Sequence, residues 1–252
     1  MSNKMFRPPF KAQGGKYYLA SWILSYFPEN CENLTYIEIY SGAASILLNK
    51  PPSETEVVCD TDLGVIQIFR ALRDDPSDFI SRLKRTKYSE GTFNRAIARV
   101  ESPKDYLDYA VGEYILRRMS WGGMKQTYAK PKSNQDLNKT WKGIVHELPR
   151  IADRVANIHI FHRPAFDVIK SFDDEEFLCY CDPPMLDDNV EANEHSMPSE
   201  DHVKLGDMLR GFRGKVLISG RCSKLYKRLY DEWKCVRKKI ANHKMDYLWM
   251  NY

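Results

Sequence analysis

Residues 36–60, YIEIYSGAASILLNKPPSETEVVCD, constrain the fold of this chain more than any other stretch. Residues 36–40 form a short apolar run of strand type, broken by Glu38. Ser41, Gly42, Ala43, Ala44 and Ser45 follow, small residues where a chain turns tightly. Residues 46–49 predict the opening of a helix, and residues 56–59 a second strand ending at Asp60. Strand, small-residue turn, helix, strand and acid is the βαβ layout that holds a nucleoside cofactor. Backbone N–H groups approach the ligand at the turn, and the acid takes both ribose hydroxyls. Ordinary sheet packing accounts for the same pattern, because the dinucleotide fingerprint has three glycines where this turn has one.

The chain's 252 residues suit one large domain, or a domain with an insert, and the 43% hydrophobic and 29% charged content is that of a globular protein. No apolar run approaches the roughly 20 residues that span a bilayer. Residues 1–11 lack the apolar segment of a signal peptide, so the cytoplasm is the expected compartment. None of the six cysteines forms a C-x-x-C pair, so reduced thiols are expected, with no metal. The net charge of +4 hides a segregation: +6 over residues 117–150, +9 over 210–239 and −11 over 167–201. Such basic stretches suit a polyanion partner, although a charge run is more often a solvated face.

Along the chain, residues 6–16 are a lead-in punctuated by Pro and Gly. Residues 16–27 predict an amphipathic helix with Tyr18, Trp22, Ile23 and Tyr26 on one face. If it opens at Gly14, Gly15 and Lys16 it offers N–H groups and an ammonium to an anion; a flexible turn is the equal alternative. Residues 62–73 predict a helix buried through Val65, Ile66, Phe69 and Leu72. Residues 74–150 show no strand–helix alternation, only helices over 78–84, 92–100 and 106–117 and then a glycine-broken basic loop or hairpin. There Trp121, Tyr128 and Trp141 interleave with Lys125, Lys130, Lys132, Lys139 and Lys142, a mixture that suits phosphates and bases or simply packs.

Alternation resumes with a helix over 151–155, a strand over 158–162, a helix over 164–171 and a fully buried strand over 177–181. A helix over 200–212, a strand over 215–219, a helix over 223–230 and closing strands over 233–240 and 247–251 follow. The expected class is α/β, a Rossmann-like sheet built from residues 1–73 and 151–252, with a mostly helical subdomain inserted over 74–150. His195, His202 and His243 have no role in the chemistry below, and His202 reads as a surface or packing residue.

The strand over 177–181 ends in Asp182-Pro183-Pro184-Met185. Two prolines hold the backbone extended and remove two N–H donors, so the corner presents acceptors only. An exocyclic amine held through both its protons by two acceptors moves toward sp³ geometry and releases its lone pair for attack. Asp182 and the Pro183 carbonyl are the candidate acceptors, and the electrophile would be the methyl of a sulfonium cofactor at the strand's carboxyl edge. An amine in duplex DNA must first be flipped out, at a few kcal/mol.

These residues resemble the Dam-type DNA adenine-N6 methyltransferases, in motif order and over nearly the whole chain. FKAQGGK resembles the family's N-terminal motif, YIEIYSGAAS its cofactor loop, VVCDTD its ribose acid and RRMSWGGMKQTYA its base-reading segment. LCYCDPPM stands where the family has Asp-Pro-Pro-Tyr, and Ala44 where its loop has a last glycine. The resemblance implies an S-adenosylmethionine-dependent enzyme acting on adenine N6 in double-stranded DNA, without membrane or metal, in a phage or bacterial modification system. It implies Asp182, Pro183, Pro184 and Met185 as the catalytic set. Ala12, Gly15, Lys16, Glu38, Tyr40, Gly42, Ala43, Ala44, Ser45, Asp60, Asp167 and Asp182 are the implied cofactor contacts. Lys11, Arg117, Arg118, Trp121, Lys125, Lys130 and Lys132 are the implied DNA contacts, and 74–150 the target-recognition insert. A same-fold protein that has lost catalysis, or transfer to cytosine N4 or RNA, is the alternative, since two acceptors activate any exocyclic amine.

Overall fold

The structure, a computed structural model, describes residues 5–130, 136–186, 196–240 and 244–252. Lys132, His195, His243 and the acidic segment 187–194 lie outside the described residues. The elements run α1 (Ala20–Leu24), β1 (Thr35–Ile39), β2 (Glu56–Asp60), α2 (Leu63–Asp74), α3 (Pro76–Lys84), α4 (Glu90–Glu101), α5 (Tyr106–Met119) and α6 (Leu137–Val155). They continue β3 (His159–His162), α7 (Ala165–Ser171), β4 (Phe177–Cys181), β5 (Met185–Leu186), β6 (Ser196–Met197) and α8 (Ser199–Arg210). Last come β7 (Lys215–Gly220), α9 (Lys224–Leu229), β8 (Lys234–Lys239) and β9 (Met245–Met250). No described helix is long and apolar enough to cross a membrane.

Two compact units make up the chain. The first comprises Met1–Ser21, Gly42–Lys50 and Asp62–His162, the second Trp22–Ser41, Pro51–Thr61 and Arg163–Tyr252. Among the described residues, six strands of the second unit run in the order β2-β1-β4-β7-β9-β8 in one sheet. Strands β2, β1, β4 and β7 are parallel, and β9 joins β7 antiparallel. Their central residues are apolar and buried, as strands covered on both faces require. Outermost β8 carries Lys234, Arg237, Lys238 and Lys239 on an exposed strand, which deters pairing with another chain and accounts for part of the strongest basic run. Cys31, Cys59, Cys179 and Cys181 are buried.

Three expected elements differ. Residues 46–49 form hydrogen-bonded turns (Leu48 N to Ala44 O and Lys50 N to Ile46 O, both 3.0 Å) rather than a helix. Pro51 disfavours helical dihedrals at its predecessor, Lys50. The helix expected over 16–27 is a 3₁₀ turn, Tyr17–Leu19, and the five-residue α1, bounded by Gly15 and Pro28. Lys16 is the N-cap of that 3₁₀ turn, and Tyr18 is 58% exposed rather than on a buried face. Third, α6 is one helix of 19 residues with Pro149 inside it, so the boundary expected at residue 150 falls within an element. Trp141 is accordingly core: it is buried, donates through Nε1 to Leu83 O at 3.1 Å and packs edge-on against Tyr114.

In the first unit, helices α2, α4, α5 and α6 begin at Asp62, Ser89, Asp105 and Asp136, whose side chains accept N–H groups of the first turn. Each such cap contributes about 0.5–2 kcal/mol. A buried charge cluster then ties α2 to α5. Glu113, buried on α5, accepts from Arg117 Nε at 3.1 Å and from Lys125 Nζ at 3.0 Å. Arg117 also donates to Asp62 Oδ2 at 2.6 Å and lies over the Phe10 ring at 5.4 Å. Two acids thus face two bases. Burial alone would raise the Asp62 carboxyl, but Arg117, through its charge and hydrogen bond, and Lys125 hold it below the usual aspartate range.

Removing one partner of a buried pair leaves a charge uncompensated, so Glu113→Gln is expected to cost about 3–5 kcal/mol. Denaturant unfolding checks this, and an unchanged midpoint would contradict the role given to the cluster. The sign of the Asp62 shift sets a pH dependence. A depressed carboxyl contributes stability that is present above its ordinary pKa of about 3.9 and lost as pH falls through the lower folded value. Melting scans from neutral to acid pH should therefore show a steeper loss of stability below about pH 4 in the wild type than in Asp62→Asn.

Candidate active site

Strand register builds the site in the second unit. Ile39 on β1 pairs with Cys59 on β2 and with Cys181 on β4, and Cys181 pairs in turn with Ile218 on β7. The next residue along each strand is Asp60, Tyr40, Asp182 and Ser219, so these four form one row at the carboxyl edge. That edge is where open α/β sheets bind ligands.

Asp182 is held from below by a directed chain of hydroxyls. Ser219 Oγ donates to Asp182 Oδ1 at 2.7 Å and lies 2.8 Å from Tyr180 OH. A serine hydroxyl has one proton to give, so Tyr180 donates to Ser219 and Ser219 to Asp182. Burial, and then the Asp182 charge, push the Tyr180 hydroxyl well above its ordinary pKa, which keeps it a donor. Ser219 and Tyr180 are both buried. Met185, two residues beyond Pro183, is 54% exposed, and β5 containing it pairs in parallel with β6.

On β1, Glu38 is buried, accepts from Tyr36 OH at 2.8 Å and pairs in register with Tyr180. The backbone then enters the left-handed region three times in five residues, at Tyr40 (φ 54°), Gly42 (φ 49°) and Ala44 (φ 48°). Only Gly42 adopts this without a Cβ penalty; at Tyr40 and Ala44 it is strain of the kind that collects at ligand sites. The Ala44 methyl is fully buried. Tyr40 OH donates toward Met197 Sδ at 3.7 Å, and burial pushes its pKa far up. Ser41 Oγ is buried and has no hydrogen-bond partner among the described residues. A buried orphan hydroxyl beside an acidic edge fits a polar ligand such as a nucleoside cofactor. Asp60, half-buried, ends β2, while Asp167 lies exposed in the first turn of α7. Burial and the Asp60 charge raise the Cys59 thiol to about 12, and burial raises that of Cys179 to about 12, so both stay protonated and inert.

The first unit carries the remaining expected residues. Gly15 N closes a turn onto Ala12 O at 3.2 Å, and Lys16 Nζ donates to Gly14 O at 3.1 Å. The loop after α5 folds back through an antiparallel bridge between Ser120 and Tyr128, the hairpin expected there. It is locked onto the lead-in: Lys11 Nζ donates to Ser120 O at 3.0 Å, and Arg118 donates to Pro9 O at 2.7 Å and Pro8 O at 2.6 Å. Gly123 (φ 83°) approaches so closely that a Cβ there would meet Lys11 O at 2.4 Å. Burial and neighbouring Arg118 lower the Lys11 pKa. Arg117 is a correction, since the buried cluster holds its guanidinium where DNA cannot reach it. Arg118 and Lys125 are partly committed to internal partners, whereas Trp121 is 53% exposed and Lys130 is exposed at the loop's end. His202 is buried against Tyr226, with Nδ1 at 3.1 Å from its hydroxyl, so it packs the core.

Residues 13–244 match the family described as D12 class N6 adenine-specific DNA methyltransferase. The chain belongs to this family. It is 24% identical over 232 residues to the type II methyltransferase M.CviBI of Paramecium bursaria Chlorella virus NC1A, covering 89% of this chain and 86% of that one. Solved structures similar to it include a ribosomal protein L11 methylase from Lactobacillus delbrueckii subsp. bulgaricus (10% identity, TM-score 0.36, 93% of this chain and 75% of that one). Another is SMU.776, a putative methyltransferase complexed with SAH (8% identity, TM-score 0.38, 93% of this chain and 48% of that one). As a D12 class enzyme it transfers the methyl of S-adenosylmethionine to adenine N6 at specific sites in DNA.

Ser219 is the residue of this methyltransferase that sequence reasoning missed. Ser219→Ala removes a hydrogen bond to a charged group, worth about 1.5–3 kcal/mol, so kcat should fall roughly 10- to 100-fold. Cofactor affinity should change little, and the melting temperature should fall by several degrees without loss of the fold. Wild-type turnover in this variant would show that Ser219 does not position Asp182.

Proposed function

We propose that Asp182 and the Pro183 carbonyl hold the two N6 protons of an adenine flipped out of duplex DNA. The observation that carries this reading is the aligned row ending β2, β1, β4 and β7, in which Ser219 orients the Asp182 carboxylate. With both protons accepted, the nitrogen loses conjugation with the ring and its lone pair becomes available. Pro183 and Pro184 supply no competing N–H donor, and Met185 presents a thioether where the flipped ring would lie. When bound, S-adenosylmethionine supplies the electrophilic methyl. Asp60 takes the ribose hydroxyls, Glu38 faces the amino acid part, Tyr40 and Ser41 bound the pocket, and Asp167 lies toward the adenine of the cofactor. For the first unit, Ala12, Gly15, Lys16, Gly42, Ala43, Ala44 and Ser45 are proposed as cofactor contacts on the resemblance alone.

The hairpin over 120–130, with α3, α4 and α5, is the proposed target-recognition part. Exposed Trp121 and Lys130 meet the duplex, while Lys11, Arg118 and Lys125 shape the loop that carries them. Aromatic and cationic side chains on a rigid hairpin suit base edges and phosphates.

Incubation with methyl-labelled S-adenosylmethionine and unmethylated duplex, followed by nucleoside analysis, should place the label in N6-methyladenine. Asp182→Ala should abolish transfer while duplex binding survives, and retained turnover would remove Asp182 from the mechanism. Base–aromatic stacking is worth about 1–3 kcal/mol and sulfur–aromatic contact about 0.3–1.5 kcal/mol. Met185→Tyr should therefore raise the flipped fraction several-fold, read from the fluorescence of 2-aminopurine at the target position. An unchanged or lower signal would place the extrahelical base elsewhere.

A further inference from the structure

Far along the chain from the Asp182 corner, the first unit contains a cavity of about 310 Å³ between the end of α3 and helices α4 and α5. Four cations line it, Arg85, Lys87, Arg95 and Arg99, together with the hydroxyls of Ser89 and Thr92. No carboxylate lines it, and among the described residues only Arg99 of the four has an ion pair, to Asp108 at 3.0 Å. The arrangement is built rather than loose. Arg95 Nη2 donates to Thr92 Oγ1 at 3.1 Å, Thr92 Oγ1 lies 2.9 Å from Ser89 Oγ, and Ser89 caps the 12-residue α4. Arg85 donates back to Ser81 O at 3.3 Å and Ser81 Oγ at 3.2 Å, yet the like charges along the hollow still repel one another, and the partial positive charge of a helix start adds to them; an anion relieves both.

The chemistry selects the anion. No aromatic ring lines the hollow to stack a base, and its volume is at the small end of the roughly 300–1,000 Å³ of small-molecule sites. Guanidinium forks and hydroxyls are matched to phosphate oxygens. Tyr88, between Lys87 and Ser89, packs its ring on Tyr128 at 5.7 Å and donates to Ala129 O, so the lining is fastened to the hairpin proposed to face DNA. We propose that this cavity seats a backbone phosphate of the DNA outside the methylated base pairs, setting the duplex in position without reading its sequence. The proposal rests on the DNA-facing role of the hairpin.

The test is the salt dependence of duplex binding between about 50 and 200 mM salt, for the wild type, Arg85→Ala, Arg95→Ala, Arg95→Lys and the Arg85→Ala/Lys87→Ala/Arg95→Ala triple variant. Each phosphate contact contributes about 0.9 to the slope of log affinity against log salt. The triple variant should lose about one such unit, weaken equally on target and non-target duplexes, and keep the wild-type kcat at saturating DNA. Arg95→Lys should keep most of the slope. Melting temperatures identify any variant that fails to fold, and the exposed Arg85→Ala alone then carries the comparison. A wild-type slope in folded variants overturns the proposal and leaves the hairpin's role standing. Inorganic phosphate bound calorimetrically by the wild type, with the DNA slope unaltered in the variants, makes the hollow a small-anion site and also overturns it. If the wild type binds no duplex at all, the hairpin reading and the proposal fall together.

Discussion

Parallel pairing leaves β1 no latitude. A slip of one residue against β2 or β4 would exchange the two buried faces, setting Tyr36 and Glu38 where Ile37 and Ile39 now pack. The register that buries Ile37, Val57, Val58 and Cys179 is therefore the register that brings Asp60, Tyr40 and Asp182 to one level. Chemistry at the edge is a by-product of packing in the middle. The same logic extends one strand further, since Cys181 opposite Ile218 is what puts Ser219 beneath the Asp182 carboxylate.

The first unit relies on a different device. Its helices are held by apolar faces, but α2 and α5 also meet across a buried Glu113–Arg117 pair flanked by the half-exposed Asp62 and Lys125. Such a cluster contributes less to net stability than to orientation, because desolvation offsets much of the attraction. Arg117 fixes α5 against the start of α2, and Lys125 fixes the hairpin against α5. The hairpin is further fastened to the lead-in by Lys11, Arg118 and the close approach of Gly123. Its exposed residues are therefore displayed from a rigid base.

Much of the fold is legible in the sequence. Apolar runs bounded by Pro, Gly and acids located β1, β2, β4 and β7, and they placed Asp182 just past the end of β4. Local propensity failed at residues 46–49, where Pro51 outweighed the helical pattern, and across residue 150, where capping by Asp136 and continuous packing carried α6 through a proline. Charge misled at Arg117: a cation four residues after Glu113 on an apolar helix is an internal pair, and that spacing was visible. Ser219 could not be found from sequence, because its nearness to Asp182 depends on which strands are neighbours, 37 residues apart in the chain.

The hairpin over 120–130 has one more consequence, for how such an enzyme diversifies. Its anchors are main-chain carbonyls at Pro8, Pro9 and Ser120 and the buried Glu113, none of which depends on the identity of the side chains at the tip. Residues such as Trp121 and Met124 can therefore be exchanged without disturbing the ladder that aligns Asp182. On the proposed role of the hairpin, target preference is a variable trait and methyl transfer an inherited one, so new specificities would arise by drift at an exposed turn rather than by rebuilding an enzyme.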